Sequence, residues 1–263
     1  MIDPARSLFL IHFWGAFSSL CTLSNQQRRT TGTEGAGEAM MRKAVTSASQ
    51  SAPGAVALLH GSGDNGANFR QWMGTTQVVR DLVAKGVRTV FPSAKPIRYT
   101  IAGHVESVWF DRLAMEPSSP EQTDSVERSV AQIETIVDDL VEEGLPATKI
   151  AVGGFSMGGG LALQMGLRTK HDLAGVFAMS SYMCDEARVF ERLEKEGVAG
   201  TPRIWMAHGA EDDFVLPGWG ESTSKKLKSL GVDVQWRSYP TLRHEVRPDE
   251  LGDLGDWLEP LVV

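Results

Sequence analysis

Cysteine is almost missing from this chain, with two in 263 residues, Cys21 and Cys184. That excludes a disulfide-built scaffold, and neither cysteine has metal-ligand spacing, so a thiolate metal site is excluded as well. A reducing cytoplasm is the natural compartment. Basic residues are outnumbered, 26 Lys and Arg against 33 Asp and Glu, and the formal charge is −7 with a pI near 5.4. Such a balance argues against nucleic acid or an anionic membrane surface as main partner. The apolar stretch Leu8 to Cys21 is about fourteen residues, short of the roughly 20 that cross a bilayer, so no stable membrane insertion is expected.

What is present begins with an ordinary apolar content of 42%, enough for one soluble enzyme domain of roughly 210 residues. The boundaries fall at 1–50 for an N-terminal extension and 51–263 for the domain. The polar run Ser24 to Gln50 is rich in Gly, Ser and Thr and offers no core. The extension is expected to be disordered, or to reflect a start assigned too early, with Met40-Met41 as the beginning. The alternative is a signal or transit segment, given Arg6, Arg28, Arg29 and Arg42.

The most informative residues run from Ile150 to Gly160, IAVGGFSMGGG, where a short apolar strand enters Gly154-Phe155-Ser156-Met157-Gly158 and continues as a helical pattern. This is the Gly-x-Ser-x-Gly nucleophile elbow. Glycines two before and two after the serine let strand and helix approach. The turn raises the Ser156 hydroxyl above the sheet, and the Met157 N–H at the start of the helix supplies half of an oxyanion site.

A serine needs a base, and the base needs an orienting carboxylate. In an α/β-hydrolase these follow in the order Ser, Asp or Glu, His. Of six histidines, His12, His60, His104 and His171 come too early for that order, and His208 precedes the acidic cluster Glu211-Asp212-Asp213. His244, after the strand-like run Val232 to Tyr239, remains as the base. Spacing alone does not choose among Glu211, Asp212 and Asp213. Upstream, the apolar run Ala55 to Leu59 ends in His60-Gly61-Ser62-Gly63-Asp64. It lacks the lysine of a P-loop and the spacing of a dinucleotide site. The backbone N–H of Ser62 is therefore the expected second oxyanion donor, a group typically worth about 10²–10³ in rate.

Elsewhere strands and helices alternate. Val87 to Phe91 and Ala174 to Met179 read as strands, and Val126, Val130, Ile133, Val137 and Val141 mark a helix stopped at Gly144, with Thr123 or Asp124 as N-cap. Leu251, Leu254, Trp257, Leu258 and Leu261 form a last amphipathic stripe. The pattern predicts an α/β fold, a single doubly wound and mostly parallel sheet with helices on both faces and the site at the carboxyl ends of the strands. The long segment from Pro92 to about Glu121 reads as a functional loop, in which Trp109 and Phe110 either line an acyl pocket as a cap or fill the core beneath it.

The motifs Leu59 to Asp64, Val108-Trp109-Phe110-Asp111-Arg112, Gly153 to Gly159, His208 to Asp212 and Arg243-His244-Glu245 together resemble the acyl-protein thioesterase and lysophospholipase family over roughly Pro53 to Leu261. The resemblance implies that the acid, fourth after the histidine of a His-Gly-x-x-Asp motif, is Asp212. Met157 and the Val108–Arg112 run resemble the lysophospholipase-like branch, which implies a shallower site than a long acyl tunnel. The implied activity is cofactor-free and metal-free cleavage of a carboxylic ester or thioester through an acyl-enzyme, with S-acylated cysteine on a protein as leading substrate. Small acyl esters and lysophospholipids stand as alternatives. A catalytically idle fold used for binding is a further alternative, against which the intact Ser, acid and His argue. Oligomeric state is not encoded in any of these features.

Overall fold

The computed structural model describes residues 52–263. The expectations placed on residues 1–50 lie outside the described residues. Six strands form one parallel sheet: β1 (Ala55–Leu59), β2 (Arg88–Val90), β5 (Ile150–Phe155), β6 (Gly175–Met179), β7 (Ile204–Gly209) and β8 (Val234–Tyr239), in the order β2-β1-β5-β6-β7-β8. Every pairing in that sheet is parallel. Parallel strands buried on both faces have no solvent side to alternate toward, which is why β1 reads as an unbroken apolar run and is wholly buried.

Successive residues of β1 serve opposite faces. Ala55, Ala57 and Leu59 join the core under α3 (Thr123–Glu142), α4 (Met157–Gly166), α5 (Arg188–Glu196) and α6 (Pro217–Ser229). Val56 and Leu58 join the core under α1 (Gly66–Met73), α2 (Gln77–Ala84) and α7 (Pro248–Val262). Helices therefore cover both faces, as the alternation predicts.

Two expectations are corrected. The helix over 126–141 extends to Thr123–Glu142 with Gln122, not Thr123 or Asp124, in the N-cap position; Gly144 follows its end at φ +98°. The segment after Pro92 is not a bare loop. It contains an antiparallel hairpin, β3 (Pro96–Tyr99) and β4 (His104–Ser107), separate from the main sheet.

A parallel sheet brings all strand C-termini to one edge. Ser62 follows β1, Ser156 follows β5, Asp212 follows β7 and His244 follows β8, so this topology gathers residues up to 182 positions apart along that edge.

Candidate active site

β5 lies between β1 and β6, with Leu59 in register with Gly154 and Phe155 with Met179. A Cβ on Gly154 would sit 2.3 Å from the Leu59 carbonyl oxygen; one on Gly158 would sit 2.3 Å from the same atom and 2.6 Å from the His60 oxygen. The elbow glycines thus permit contact with β1 as well as between β5 and α4. Ser156 itself takes φ 54° and ψ −122°, a conformation costly to a residue with a side chain. Its N–H donates to the Met179 carbonyl at 2.9 Å, which ties the turn to β6.

The Ser156 hydroxyl lies 3.1 Å from His244 Nε2, and His244 Nδ1 lies 2.8 Å from Asp212 Oδ2. An ionised carboxylate can only accept, so Nδ1 carries the proton and Nε2 is free to accept from the serine. The His244 ring is held between Phe155 and Phe214, with centroids 4.8 and 4.9 Å away.

Burial decides the acidic cluster. Asp212 is 2% exposed while Glu211 and Asp213 face solvent. Asp212 Oδ1 accepts the N–H groups of Phe214 and Val215 at 3.0 and 2.8 Å. Burial on its own would push this carboxyl up, but hydrogen bonds from His208, His244 and the Val215 amide outweigh it and hold the group well below the ordinary carboxylate range. Asp212 is therefore an anion throughout the neutral range.

His208 is the residue that sequence order passes over. It is fully buried, its Nε2 donates to the Val215 carbonyl at 2.8 Å, and the same atom lies 3.3 Å from Asp212 Oδ2. It pins the turn that carries the acid from behind. The sequence places it at the first position of the His-Gly-x-x-Asp motif, which is the signal that it belongs with Asp212.

On the other flank, a Cβ on Gly61 would sit 3.5 Å from Ser156 Cβ, so the loop after β1 lies against the nucleophile. Ser62 Oγ meets Met157 Sδ at 3.6 Å, bringing the two expected oxyanion residues together. His60 fixes this loop. Its Nε2 accepts from the Ala94 N–H at 3.0 Å, which makes Nδ1 the protonated nitrogen, and Nδ1 donates to the Gly61 carbonyl at 2.7 Å. Burial keeps the ring's proton affinity low, so this tautomer persists. In a trans peptide the Gly61 C=O and the Ser62 N–H point in opposite directions, so holding the one sets the other.

The pair Trp109 and Phe110 divides. Trp109 is 2% exposed, donates its indole N–H to the His60 carbonyl at 2.8 Å and packs on the His60 ring at 4.8 Å. It is a core residue bracing the loop from below rather than a cap over a pocket. Phe110 does line a cleft, together with Arg112 and Tyr182 and with Gly160 and Gln164 of α4. Among the described residues no cluster of His, Cys, Asp or Glu is arranged to hold a metal ion.

A profile of the phospholipase/carboxylesterase family matches residues 40–262. This chain belongs to that family. Mouse lysophospholipase-like protein 1 is 35% identical over 201 residues, covering 76% of this chain and 83% of the mouse protein. Acyl-protein thioesterase 1 of Aspergillus fumigatus is 29% identical over 216 residues, covering 79% and 87%. Among solved structures, Zea mays acyl-protein thioesterase 2 superposes with a TM-score of 0.70 at 25% identity, covering 83% of this chain and 98% of that one. Arabidopsis thaliana SOBER1 also gives 0.70, at 26% identity over 80% and 99%. The family and these neighbours carry the α/β-hydrolase fold, and this family member shares it.

Proposed function

We propose that this family member is a serine hydrolase that cleaves carboxylic esters and thioesters through an acyl-enzyme. The observation that carries the reading is the continuous relay Ser156 Oγ, His244 Nε2, His244 Nδ1, Asp212 Oδ2, with spacings of 3.1 and 2.8 Å, at the end of a strained elbow. Ser156 attacks the acyl carbonyl while its proton passes to His244. The buried Asp212 anion stabilises the resulting imidazolium and keeps it oriented. The N–H groups of Ser62 and Met157 hold the oxyanion. His244 then returns the proton to the departing thiol or alcohol, and water, activated by the same histidine, releases the acid. Every step uses groups of the chain, so the reading calls for no metal or organic cofactor.

For the substrate, the name acyl-protein thioesterase borne by relatives supports S-acylated cysteine on a protein. The scarcity of cysteine supports the cytoplasm as its compartment, with residues 51–263 as the catalytic domain and 1–50 as an extension to it. Among the described residues no helix is long and apolar enough to cross a membrane. Short-chain ester cleavage is a second reading, favoured by the polar groups in the cleft beside α4. The decisive experiment is labelling with a fluorophosphonate alongside turnover of short esters and thioesters by wild type and Ser156→Ala. Loss of both signals with an unchanged melting curve is expected. Wild-type turnover in the variant would remove Ser156 from its role.

A further inference from the structure

Arg112 stands out among the charged groups near the site. It is 6% exposed, yet its Nε has no hydrogen-bond partner within the protein, and its only polar side-chain neighbour on Nη1 is Met115 Sδ at 3.9 Å. The guanidinium is held instead between two rings, 5.0 Å from the Phe110 centroid and 4.8 Å from that of Tyr182. A buried cation without a counter-anion is costly, and ring quadrupoles offset part of that cost. Two further buried polar groups on the same cleft are unpaired: the hydroxyl of Tyr182, 2% exposed, and Oε1 of Gln164, 4% exposed.

The acids nearby are already engaged. Asp111 accepts from the Thr100 N–H and hydroxyl and from the Arg112 N–H. Glu121, also on the cleft, is taken by Gln164 Nε2 at 2.6 Å and by Arg168 at 3.6 Å. Burial raises the Tyr182 hydroxyl and the Cys184 thiol above their ordinary values, so both present protons rather than charge. The cleft therefore offers one free cation and one free O–H donor to a ligand.

Its position relates it to the nucleophile. Gly160 lines the cleft one turn of α4 beyond Ser156, roughly 6 Å along the axis. Met115 Sδ is shared between Tyr99 and Arg112, 3.9 Å from the Tyr99 hydroxyl and 3.9 Å from Arg112 Nη1. The departing group must lie beside His244 Nε2 to receive its proton, and neither His244 nor the two rings that flank it, Phe155 and Phe214, lines this cleft.

We infer that Arg112, with the Tyr182 hydroxyl, forms a subsite for a carboxylate at the far end of a short acyl group, so that the enzyme accepts monoacyl esters and thioesters of four- to five-carbon dicarboxylic acids. The inference rests on the serine hydrolase reading above. A carboxylate on the guanidinium satisfies Nε and supplies the missing counter-charge, in a geometry that Arg holds well. The proposed chemistry is unchanged, as water cleaves the acyl-enzyme to the free dicarboxylate.

The test compares monomethyl glutarate with methyl pentanoate, followed by proton release because aryl esters of such acids cleave themselves through their own carboxylate. For wild type the ratio of kcat/KM, glutarate over pentanoate, is expected at or above about one, since an apolar pocket would reject the buried charge strongly. In Arg112→Met the ratio is expected to fall about 10- to 100-fold, as for loss of a hydrogen bond to a charged group, with Arg112→Lys falling less. A wild-type ratio below about one, or a fall in Arg112→Met of less than about tenfold, overturns the inference. If Arg112→Met does not fold, the wild-type ratio decides alone. Failure to turn over methyl pentanoate overturns the hydrolase reading instead.

Discussion

At the scale of single residues, the acid is the position where sequence and structure contribute differently. Glu211, Asp212 and Asp213 are equivalent by spacing, and the structure separates them by what each touches: Asp212 alone is buried and receives His244 Nδ1, His208 and two backbone amides. Asp212→Asn presents an amide that can donate to Nδ1 and so favours the wrong tautomer. A loss in kcat of about 10⁴ is expected. Asp213→Asn and Glu211→Gln, both at exposed positions, are expected to stay within about threefold, in keeping with the small effects of surface changes. Steady-state kinetics on one short ester checks all three, and a sensitive Asp213 would refute the assignment. His208 shows the limit of reading by order. Chain order sets it aside as the base, but its hydrogen bond to the Val215 carbonyl and its approach to the back of Asp212 are contacts within a folded turn that no spacing displays.

The elements of the fold differ in how openly they were written. β1, β5, β6 and β7 are continuous apolar runs because both faces of a parallel sheet are covered, and such runs are visible in one dimension. The hairpin β3–β4 is not, since β3 turns only Ile97 and Tyr99 inward over four residues and His104 to Ser107 lies outside the core, too short an alternation to read. Helix α6 is hidden for a related reason: its sequence, PGWGESTSKKLKS, is rich in Gly and Ser and buries only Gly220, Thr223, Ser224 and Leu227. The elbow was fully legible, and its glycines carry an element-level prediction. An added methyl at Gly158 meets the Leu59 and His60 carbonyl oxygens at 2.3 and 2.6 Å, both backbone atoms that yield only if the end of β1 moves. Moving that end also moves Ser62. Gly158→Ala is therefore expected to cost about 1–3 kcal/mol of stability by overpacking, and activity as well. Thermal melts and kinetics on the same sample check it, and a variant with wild-type Tm and kcat would show that the strand end is not held where the geometry places it.

For the molecule as a whole, two properties emerge from groups far apart in sequence. Glu250, in the first turn of α7, is fully buried with neither carboxylate oxygen paired. Burial raises it from an ordinary 4.5 to about 8, and the nearby Arg247 amide offsets only part of that. Below about pH 4.5 folded and unfolded chains both hold this proton; between there and about 8 the unfolded chain releases it and the folded chain does not, so its contribution to stability is lost as pH rises through that window. Glu250→Gln keeps the shape without the titration. Its advantage in Tm over wild type is expected to grow from pH 5 to pH 8, and equal differences at the two pH values would contradict this. The second, chain-length preference, is expected to follow from where the proposed acyl cleft ends rather than from the relay. Each methylene buried in an apolar tunnel contributes about 0.8 kcal/mol, which would raise kcat/KM severalfold per carbon. Here the cleft beside α4 carries Arg112, Gln164 and Glu121, so a longer alkyl chain must displace water from polar groups it cannot satisfy. On p-nitrophenyl esters below the micellar limit, kcat/KM is expected to rise from acetate and then level or fall beyond roughly four to eight carbons, where methylenes stop being buried. A steady rise through laurate would mean that the acyl chain leaves along another path, one on which the side chains at Arg112 and Met157 place no limit.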